Sequence, residues 1–245
     1  MTSQRVALVT GSATGIGRST AWKLAERGYA ITVNYAKSKT EAEETADGVR
    51  SRGVEAIVIQ ADIADDAAVR AMVERTVDTF GGLDVLINNA ATTYFVAHTD
   101  LEGLTNQVWD DILNVNVKGT FFACRAAMPH LKSRRGNIVN IASVAGIAGS
   151  GSSIAYAASK GAVITLTKSL AKAFAPEVRV NAVAPGPVQT RWLADHQDMV
   201  EQAMKLTPLQ RPATPEDVAD VAVFLADIAS LVTGQVMVID GGRTI

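Results

Sequence analysis

The chain has 245 residues, of which 48% are hydrophobic and 20% are charged, and this balance is ordinary for a globular protein that folds in water. The net charge is −2, and Lys and Arg form no block longer than the pair Arg134–Arg135, so the composition does not favour a nucleic-acid-binding protein. No apolar stretch reaches 18 residues, the first residues lack the pattern of a signal peptide, and the single Cys124 excludes an intrachain disulfide, so a cytoplasmic protein with no membrane or nucleic-acid partner is expected.

Short β-branched segments alternate with longer segments of helical periodicity. Strands are predicted at 5–10, 30–35, 54–60, 83–89, 137–143, 178–184 and 235–240, and helices between the first four of them at 15–28, 38–53 and 65–82. Several strands are apolar almost throughout, as in sheets that helices cover on both faces. These repeats predict an α/β Rossmann-type fold: a doubly wound parallel sheet of about seven strands with helices on both faces. No linker or charge run divides the chain, so residues 1–245 are predicted to form a single domain.

Two segments, 91–105 and 191–216, interrupt this alternation. They follow predicted strands 4 and 6, and ligands of open α/β sheets bind beyond the carboxyl ends of the strands. Both segments are therefore predicted to form walls of a substrate pocket. Their large apolar side chains favour an apolar pocket; they are Tyr94, Phe95, Trp192, Leu193 and Met199.

A glycine-rich stretch, "TGSATGIG", follows the first strand and opens the first helix. Gly11, Gly15 and Gly17 allow a tight turn and let a phosphate approach backbone N–H groups at the positive end of the helix dipole. The glycines alone are weak evidence, because a strand-to-helix turn without a ligand would use them as well and their spacing differs from the general G-x-G-x-x-G pattern. A dinucleotide site is predicted because the stretch follows a strand and opens a helix.

The end of the second strand bears on the choice of dinucleotide. An acid at this place usually binds the ribose 2′-hydroxyl of NAD, whereas the 2′-phosphate of NADP requires a cation. The sequence here contains Lys37, Ser38 and Lys39, with no acid before Glu41, which favours NADP(H) over NAD(H). The alternative interpretation is that both lysines begin an exposed helix.

Tyr156 and Lys160 lie four residues apart in the alanine-rich stretch "IAYAASKGAV", so they share one face if this stretch is helical. A neighbouring ammonium is expected to lower the pKa of a phenol towards neutrality. Ser143 ends the fifth strand, where its hydroxyl is placed to donate a hydrogen bond to a carbonyl oxygen that gains negative charge. Tyr156 would then supply the proton, and a nicotinamide the hydride.

Together these motifs resemble the short-chain dehydrogenase/reductase family over essentially the whole chain, and most closely its members related to bacterial 3-oxoacyl-acyl-carrier-protein reductases. "TGSATGIG" is similar to the family's TGxxxGxG turn, "NNAA" (88–91) to its NNAG segment, and Ser143 with "YAASK" to its catalytic Ser and YxxxK. The matches continue in "APGPVQT" (184–190) and "VTGQVMVIDGG" (232–242).

The resemblance implies specific roles. Tyr156 would be the general acid/base, Ser143 would polarise the carbonyl, and Lys160 would hold the nicotinamide ribose and lower the tyrosine pKa. Asn116 matches the family's structural and proton-relay asparagine, with Asn114 as the alternative, and no metal is implied. The implied cofactor-binding residues are Gly11, Ser12, Thr14, Gly15, Ile16, Gly17, Lys37, Ser38, Asp62, Ile63, Asn89, Ala90, Ala91, Tyr156, Lys160, Pro185, Gly186, Val188 and Thr190.

Two residues depart from the family pattern. Ala91 replaces the final glycine of NNAG, and Thr14 stands where many NADP-preferring relatives carry a basic residue, which weakens the prediction of NADP(H).

The function predicted is an NADP(H)-dependent reductase of a 3-oxoacyl thioester, with a sugar, steroid, cyclic diol or xenobiotic ketone as alternative substrates. A second hypothesis is a dinucleotide-binding regulator that has lost catalysis. The presence of Ser143, Tyr156 and Lys160 argues against it. A nucleotide-sugar epimerase or dehydratase is a third, but those relatives tend to be longer. A homotetramer is expected by resemblance, through the long helices after strands 4 and 5 and the last strand.

Overall fold

The computed structural model describes residues 4–191, 200–201 and 204–245. Its strands form one seven-stranded parallel sheet in the order β3-β2-β1-β4-β5-β6-β7. The strands are β1 (Arg5–Val9), β2 (Tyr29–Tyr35), β3 (Ala56–Gln60), β4 (Val85–Asn88), β5 (Asn137–Ile141), β6 (Arg179–Pro185) and β7 (Val236–Ile239). The predicted doubly wound sheet is therefore confirmed.

Helices connect the strands in the described part of the chain. They are α1 (Gly15–Glu26), α2 (Lys39–Arg50), α3 (Asp66–Phe80), α4 (Asn106–Leu113), α5 (Thr120–Arg134), α6 (Ala145–Ala148), α7 (Ile154–Phe174) and α8 (Pro215–Val223), with π-helical turns at Asn114–Gly119 and Phe224–Ile228. None of the described helices is long and apolar enough to cross a membrane.

The first three helices end two or three residues earlier than their periodicity predicts. Gly28, Gly53 and Gly81 follow these helices with φ values of +83°, +81° and +80°. Left-handed backbone is incompatible with a continuing α-helix and favours glycine, so each helix ends before its glycine.

Alternate residues of β1 enter two different cores. Ala7 and Val9 pack with the helices α1, α2 and α8 on one face of the sheet, whereas Val6 and Leu8 pack with α3 and α5 on the other. All four side chains are fully buried, as expected for a strand covered on both faces.

The direction of strand order reverses between β1 and β4, which are paired directly. At such a switch point the loops after neighbouring strands separate to opposite faces and leave a crevice at the carboxyl edge of the sheet. The fold therefore directs the loops after β1, β4 and β5 towards one common site.

Candidate active site

A cavity of about 1080 Å³ lies along the carboxyl edge of the sheet. It is lined by residues that follow β1, β2, β3, β4, β5 and β6, and by the first turns of α1 and α7. Of the predicted site residues, those that line the cavity are Gly11, Thr14, Gly15, Ile16, Lys37, Ser38, Asp62, Ile63, Asn89, Ala90, Ala91, Ser143, Tyr156, Lys160, Pro185, Gly186, Val188 and Thr190. Ser12, Gly17 and Asn116 lie behind this lining.

The glycine turn after β1 has the geometry of a phosphate cradle. Gly11 and Gly15 have positive φ values of +59° and +57°, and a Cβ atom on Gly11 would lie 2.8 Å from Cα of Ala90. Thr14, the N-cap of α1, makes no side-chain capping hydrogen bond. The first turn of α1 therefore lacks the usual side-chain acceptor for its N–H groups, which suits an anionic ligand.

Ser12 and Gly17 shape this turn from behind. The Ser12 hydroxyl donates to the carbonyl of Val9 over 2.8 Å, and its backbone N–H donates to the carbonyl of Asn34 over 2.9 Å. A Cβ atom on Gly17 would lie 2.6 Å from Nδ2 of Asn89. Both residues thus hold the turn rather than face the cavity.

Asn34, in β2, is a site residue that the sequence motifs did not indicate. Its Oδ1 accepts the N–H of Gly11 over 3.0 Å, and its Nδ2 donates to the carbonyl of Ala61 over 3.0 Å. The side chain therefore joins the ends of β1, β2 and β3. The available signal was a buried amide in an otherwise fully buried strand, where a polar side chain requires hydrogen-bond partners.

Tyr156 lies in the first turn of α7, where Ser153 caps the helix by accepting the Tyr156 N–H over 3.2 Å. Burial raises the pKa of the Tyr156 phenol to about 12, and a hydrogen bond with Ser143 acts in the opposite direction. The sequence predicted a lowered pKa. The direction is reversed because the loss of hydration outweighs the neighbouring polar groups.

Lys160 is buried one turn further along α7. Its Nζ donates to the carbonyl of Ile141 over 2.8 Å and lies 5.7 Å from the ring centre of Tyr156. Burial lowers the pKa of this ammonium to about 8. The hydrogen bond to β5 directs the ammonium towards the sheet edge and the cavity.

Small residues allow this arrangement. A Cβ atom on Gly146 of α6 would lie 2.5 Å from the backbone nitrogen of Gly161 and 2.5 Å from the carbonyl carbon of Lys160. The backbone of α7 therefore lies directly against α6, which carries the segment after Ser143. Larger side chains here would separate Ser143 from Tyr156.

Asn116 is fully enclosed in the π-helical turn Asn114–Gly119. Its Nδ2 donates to the carbonyl of Thr92 and to the hydroxyl of Ser159, both over 3.0 Å, and its Oδ1 accepts the Thr92 N–H over 2.8 Å. The side chain joins the loop after β4 to α7. Its place fits the structural part of the role implied by the resemblance.

The end of the cavity beside β2 and β3 carries side chains of both charges. Asp62, after β3, accepts the N–H of Ala64 over 2.9 Å through Oδ1. Lys37 is exposed after β2, and Arg191 reaches this region from the segment after β6, donating to the Ser38 hydroxyl over 3.3 Å and lying 3.8 Å from Glu41. Arg191 was missed because nothing local in the sequence indicates a contact across 153 positions.

The loop after β4 forms one wall of the cavity. The Thr93 hydroxyl bonds with that of Ser152, the Val96 N–H donates to the Ser152 carbonyl over 2.9 Å, and Nε2 of His98 lies 3.2 Å from the Gly151 carbonyl. Phe95 lines the cavity, whereas Tyr94 points to Asp111. Trp192, Leu193 and Met199 lie outside the described residues.

Comparisons with known proteins agree with this geometry. A family model described as enoyl-(acyl carrier protein) reductase matches residues 11–244. A solved short-chain dehydrogenase/reductase from Burkholderia xenovorans superposes with a TM-score of 0.93 at 35% identity, covering 99% of each chain. The chain belongs to the short-chain dehydrogenase/reductase family. It is accordingly a nicotinamide-dependent oxidoreductase with a Rossmann-type fold.

Two curated relatives within this family carry more specific names. Ketoacyl reductase 2 of the granaticin polyketide synthase of Streptomyces violaceoruber is 44% identical over 241 residues, which are 97% of this chain and 95% of the relative. The 3-oxoacyl-acyl-carrier-protein reductase FabG of Staphylococcus aureus is 42% identical over 248 residues, covering 99% of both chains. The predicted resemblance to the family is thereby confirmed.

Proposed function

We propose that this short-chain dehydrogenase/reductase reduces a 3-oxoacyl thioester to the 3-hydroxyacyl thioester with NADPH. The observation that carries the chemistry is the contact of Tyr156 with Ser143 at the cavity, with the Lys160 ammonium one helical turn away. Similarity to ketoacyl reductases supports the substrate class.

Ser143, Tyr156 and Lys160 have separate roles in the proposed carbonyl reduction. A bound nicotinamide supplies the hydride to the carbonyl carbon. Ser143 donates a hydrogen bond to the carbonyl oxygen, which stabilises the negative charge that develops there. Tyr156, which is protonated at neutral pH as any phenol with a pKa of 10 or above is, donates its proton to that oxygen. Lys160 holds the ribose and keeps a positive charge beside the phenolate that remains.

The substrate assignment is tested by a reductase screen. Acetoacetyl thioesters, sugars, cyclic diols and cyclic ketones are assayed with NADPH and NADH, in the reducing or oxidising direction as each requires. We expect the largest kcat/KM for the thioester. A clear preference for a sugar, diol or cyclic ketone would replace the thioester while leaving carbonyl chemistry in place, and no turnover of any class would contradict the proposed function.

The preference for NADPH rests on the charges at the end of β2. The cations there are Lys37, Lys39 and Arg191, and the acids are Glu41, which Arg191 approaches to 3.8 Å, and Asp62 after the neighbouring strand β3. A 2′-phosphate bound beside the Ser38 hydroxyl would accept from Arg191 in place of Glu41. Charge-assisted hydrogen bonds to phosphate are stronger than a screened surface ion pair.

Arg191→Gln and Lys37→Gln are each expected to weaken NADPH binding about tenfold and to leave NADH binding within about twofold, since only the 2′-phosphate distinguishes the two. Titration of nicotinamide fluorescence measures both affinities. Arg50→Gln, at the far end of α2, is the matched control. Tighter binding of NADH by the wild type would overturn the preference.

A homotetramer is proposed as the active form. The edge strand β7 and the turn before it expose apolar side chains, with Leu231 98% and Val238 44% exposed. Such apolar surface on an edge strand favours association with another chain. Light scattering behind size-exclusion chromatography should give four times the 25.8 kDa chain mass, and a monomer would contradict the assembly. The predicted cytoplasmic location stays a prediction.

A further inference from the structure

Arg243 lines the cavity from the last segment of the chain. It lies four residues after Ile239, the end of β7, and β7 is the edge strand opposite β3. Asp62, at the predicted adenine end, follows β3. The sheet order therefore places Arg243 at the other end of the cavity, beyond the strand that precedes Ser143.

A short chain of contacts connects Arg243 to the catalytic group. The N–H of Val144, next to Ser143, donates to the carbonyl of Pro185 over 3.0 Å. Gly186 lies so close to Asp240 that a Cβ atom on the glycine would be 3.0 Å from Cβ of Asp240. Arg243 follows Asp240 by three residues, so it belongs to the same wall as the segment next to Ser143.

Arg243 is half-buried as a residue, and its guanidinium makes no hydrogen bond or ion pair with any residue that the structure describes. The nearby Asp240 carboxylate is already bound. It accepts the N–H groups of Gly242 and Thr244, both over 2.9 Å, and the Thr244 hydroxyl over 2.7 Å. Asp240 thus holds the turn that carries Arg243, and its carboxylate forms no ion pair with the Arg243 guanidinium.

The cavity lining has an uneven charge distribution. Among its described residues Asp62 is the one carboxylate. It lies at the β3 end together with Lys37 and Arg191, whereas Lys160 and Arg243 lie beyond β1, where the described lining has no carboxylate. A partly desolvated guanidinium gains most from a planar or tetrahedral oxyanion, which accepts two of its N–H groups at once.

We propose that Arg243 binds an anionic group of the substrate, a carboxylate or a phosphate, and thereby selects charged carbonyl compounds over neutral ones. The proposal rests on carbonyl reduction as the function, and it adds a specificity determinant that the short-chain dehydrogenase/reductase motifs do not contain. The anion has two possible sources: the carboxylate of a free 3-oxo acid, or a phosphate on the carrier arm of a thioester.

Four carbonyl probes separate these sources. Acetoacetate carries a carboxylate and acetoacetyl-coenzyme A carries phosphates, while ethyl acetoacetate and the acetoacetyl thioester of N-acetylcysteamine are neutral. Each is assayed with the wild type, Arg243→Met, Arg243→Lys and the control Arg75→Met, which removes an exposed charge on α3. NADPH is kept saturating so that coenzyme A phosphates do not occupy the dinucleotide site.

Arg243→Met is expected to lower kcat/KM for at least one anionic probe about 10- to 100-fold, through KM, and to leave both neutral probes within about twofold. Arg243→Lys should keep part of the wild-type kcat/KM for the anionic probes, because lysine keeps the positive charge but not the planar, two-pronged guanidinium. Loss with acetoacetate identifies the carboxylate, and loss with acetoacetyl-coenzyme A the phosphate. An equal loss on all four probes, or no loss on any, would overturn the proposal.

Calorimetric titration makes the result independent of turnover. Binding of acetoacetate and acetoacetyl-coenzyme A to the NADP⁺ complex is measured for the wild type and Arg243→Met. If no probe is reduced but the anions bind in an Arg243-dependent way, the proposed function fails and the anion site stands. If the probes are reduced but anion binding does not depend on Arg243, the anion site fails alone.

Discussion

Tyr156→Phe is expected to lower kcat about 10²- to 10⁴-fold while cofactor affinity stays within about twofold. The substitution removes the phenolic hydroxyl, the proposed proton donor, and leaves the ring, its packing on α7 and the Lys160 ammonium in place. Steady-state kinetics with the preferred carbonyl and fluorescence titration of the cofactor measure the two quantities on the same preparation.

The chain contains a matched control for this substitution. Tyr94 is an exposed tyrosine on the loop after β4, and its hydroxyl donates to Asp111 over 2.6 Å rather than pointing into the cavity. Tyr94→Phe is expected to keep kcat within about threefold, because its effect is limited to one surface hydrogen bond. Near-full activity of Tyr156→Phe would show that another group donates the proton.

The stability of the cofactor-free wild type is expected to rise, relative to Lys160→Met, by about 3 kcal/mol between pH 8 and pH 10.5. Burial lowers the pKa of Lys160 to about 8 from its ordinary value of 10.5. In this pH range the unfolded chain binds a proton that the folded chain has released, so the free energy of unfolding rises with pH. This contribution is complete above pH 10.5 and is lost as the pH falls through about 8.

Urea unfolding of both proteins at a series of pH values measures this difference. Other titrating groups cancel in the comparison. Lys168→Met, an exposed lysine on the same helix, is the control and should follow the wild type at every pH. Parallel curves for the wild type and Lys160→Met would mean that the buried ammonium keeps its ordinary pKa.

Most of the sheet was predictable because its inner strands β1, β2, β4, β5 and β6 are buried on both faces. All seven residues of β2 (YAITVNY) and all five of β5 (NIVNI) are buried, and their short apolar, β-branched segments are typical of strands covered on both faces. The predicted helix ends were less accurate. The hydrophobic periodicity continues up to a glycine, but the positive φ of that glycine requires the helix to end before it. Neither π-helical turn had a recognisable signal in the sequence.

The candidate site was predictable only where a motif is local. The glycines of the turn at Gly11 lie within a few residues of one another, and so do Tyr156 and Lys160. Each of these two motifs can therefore be recognised from its own spacing. Arg191 and Arg243 enter the cavity from distant parts of the chain, so their place depends on the order of strands in the sheet. The direction of the Tyr156 pKa was mispredicted because burial depth is a property of the packed structure.

The hydrogen bonds of Asn116 link the loop after β4 to the helix α7. Thr92 takes part in two of these bonds, one through its N–H as donor and one through its carbonyl as acceptor, and the Ser159 hydroxyl accepts the third. Ser159 lies in the sequence between Tyr156, the proposed proton donor, and the buried Lys160. A change in the loop after β4 is therefore expected to shift Tyr156 and Lys160, the proposed catalytic groups. Exchanging this loop to alter selectivity will alter turnover as well, unless the backbone of Thr92 keeps its place.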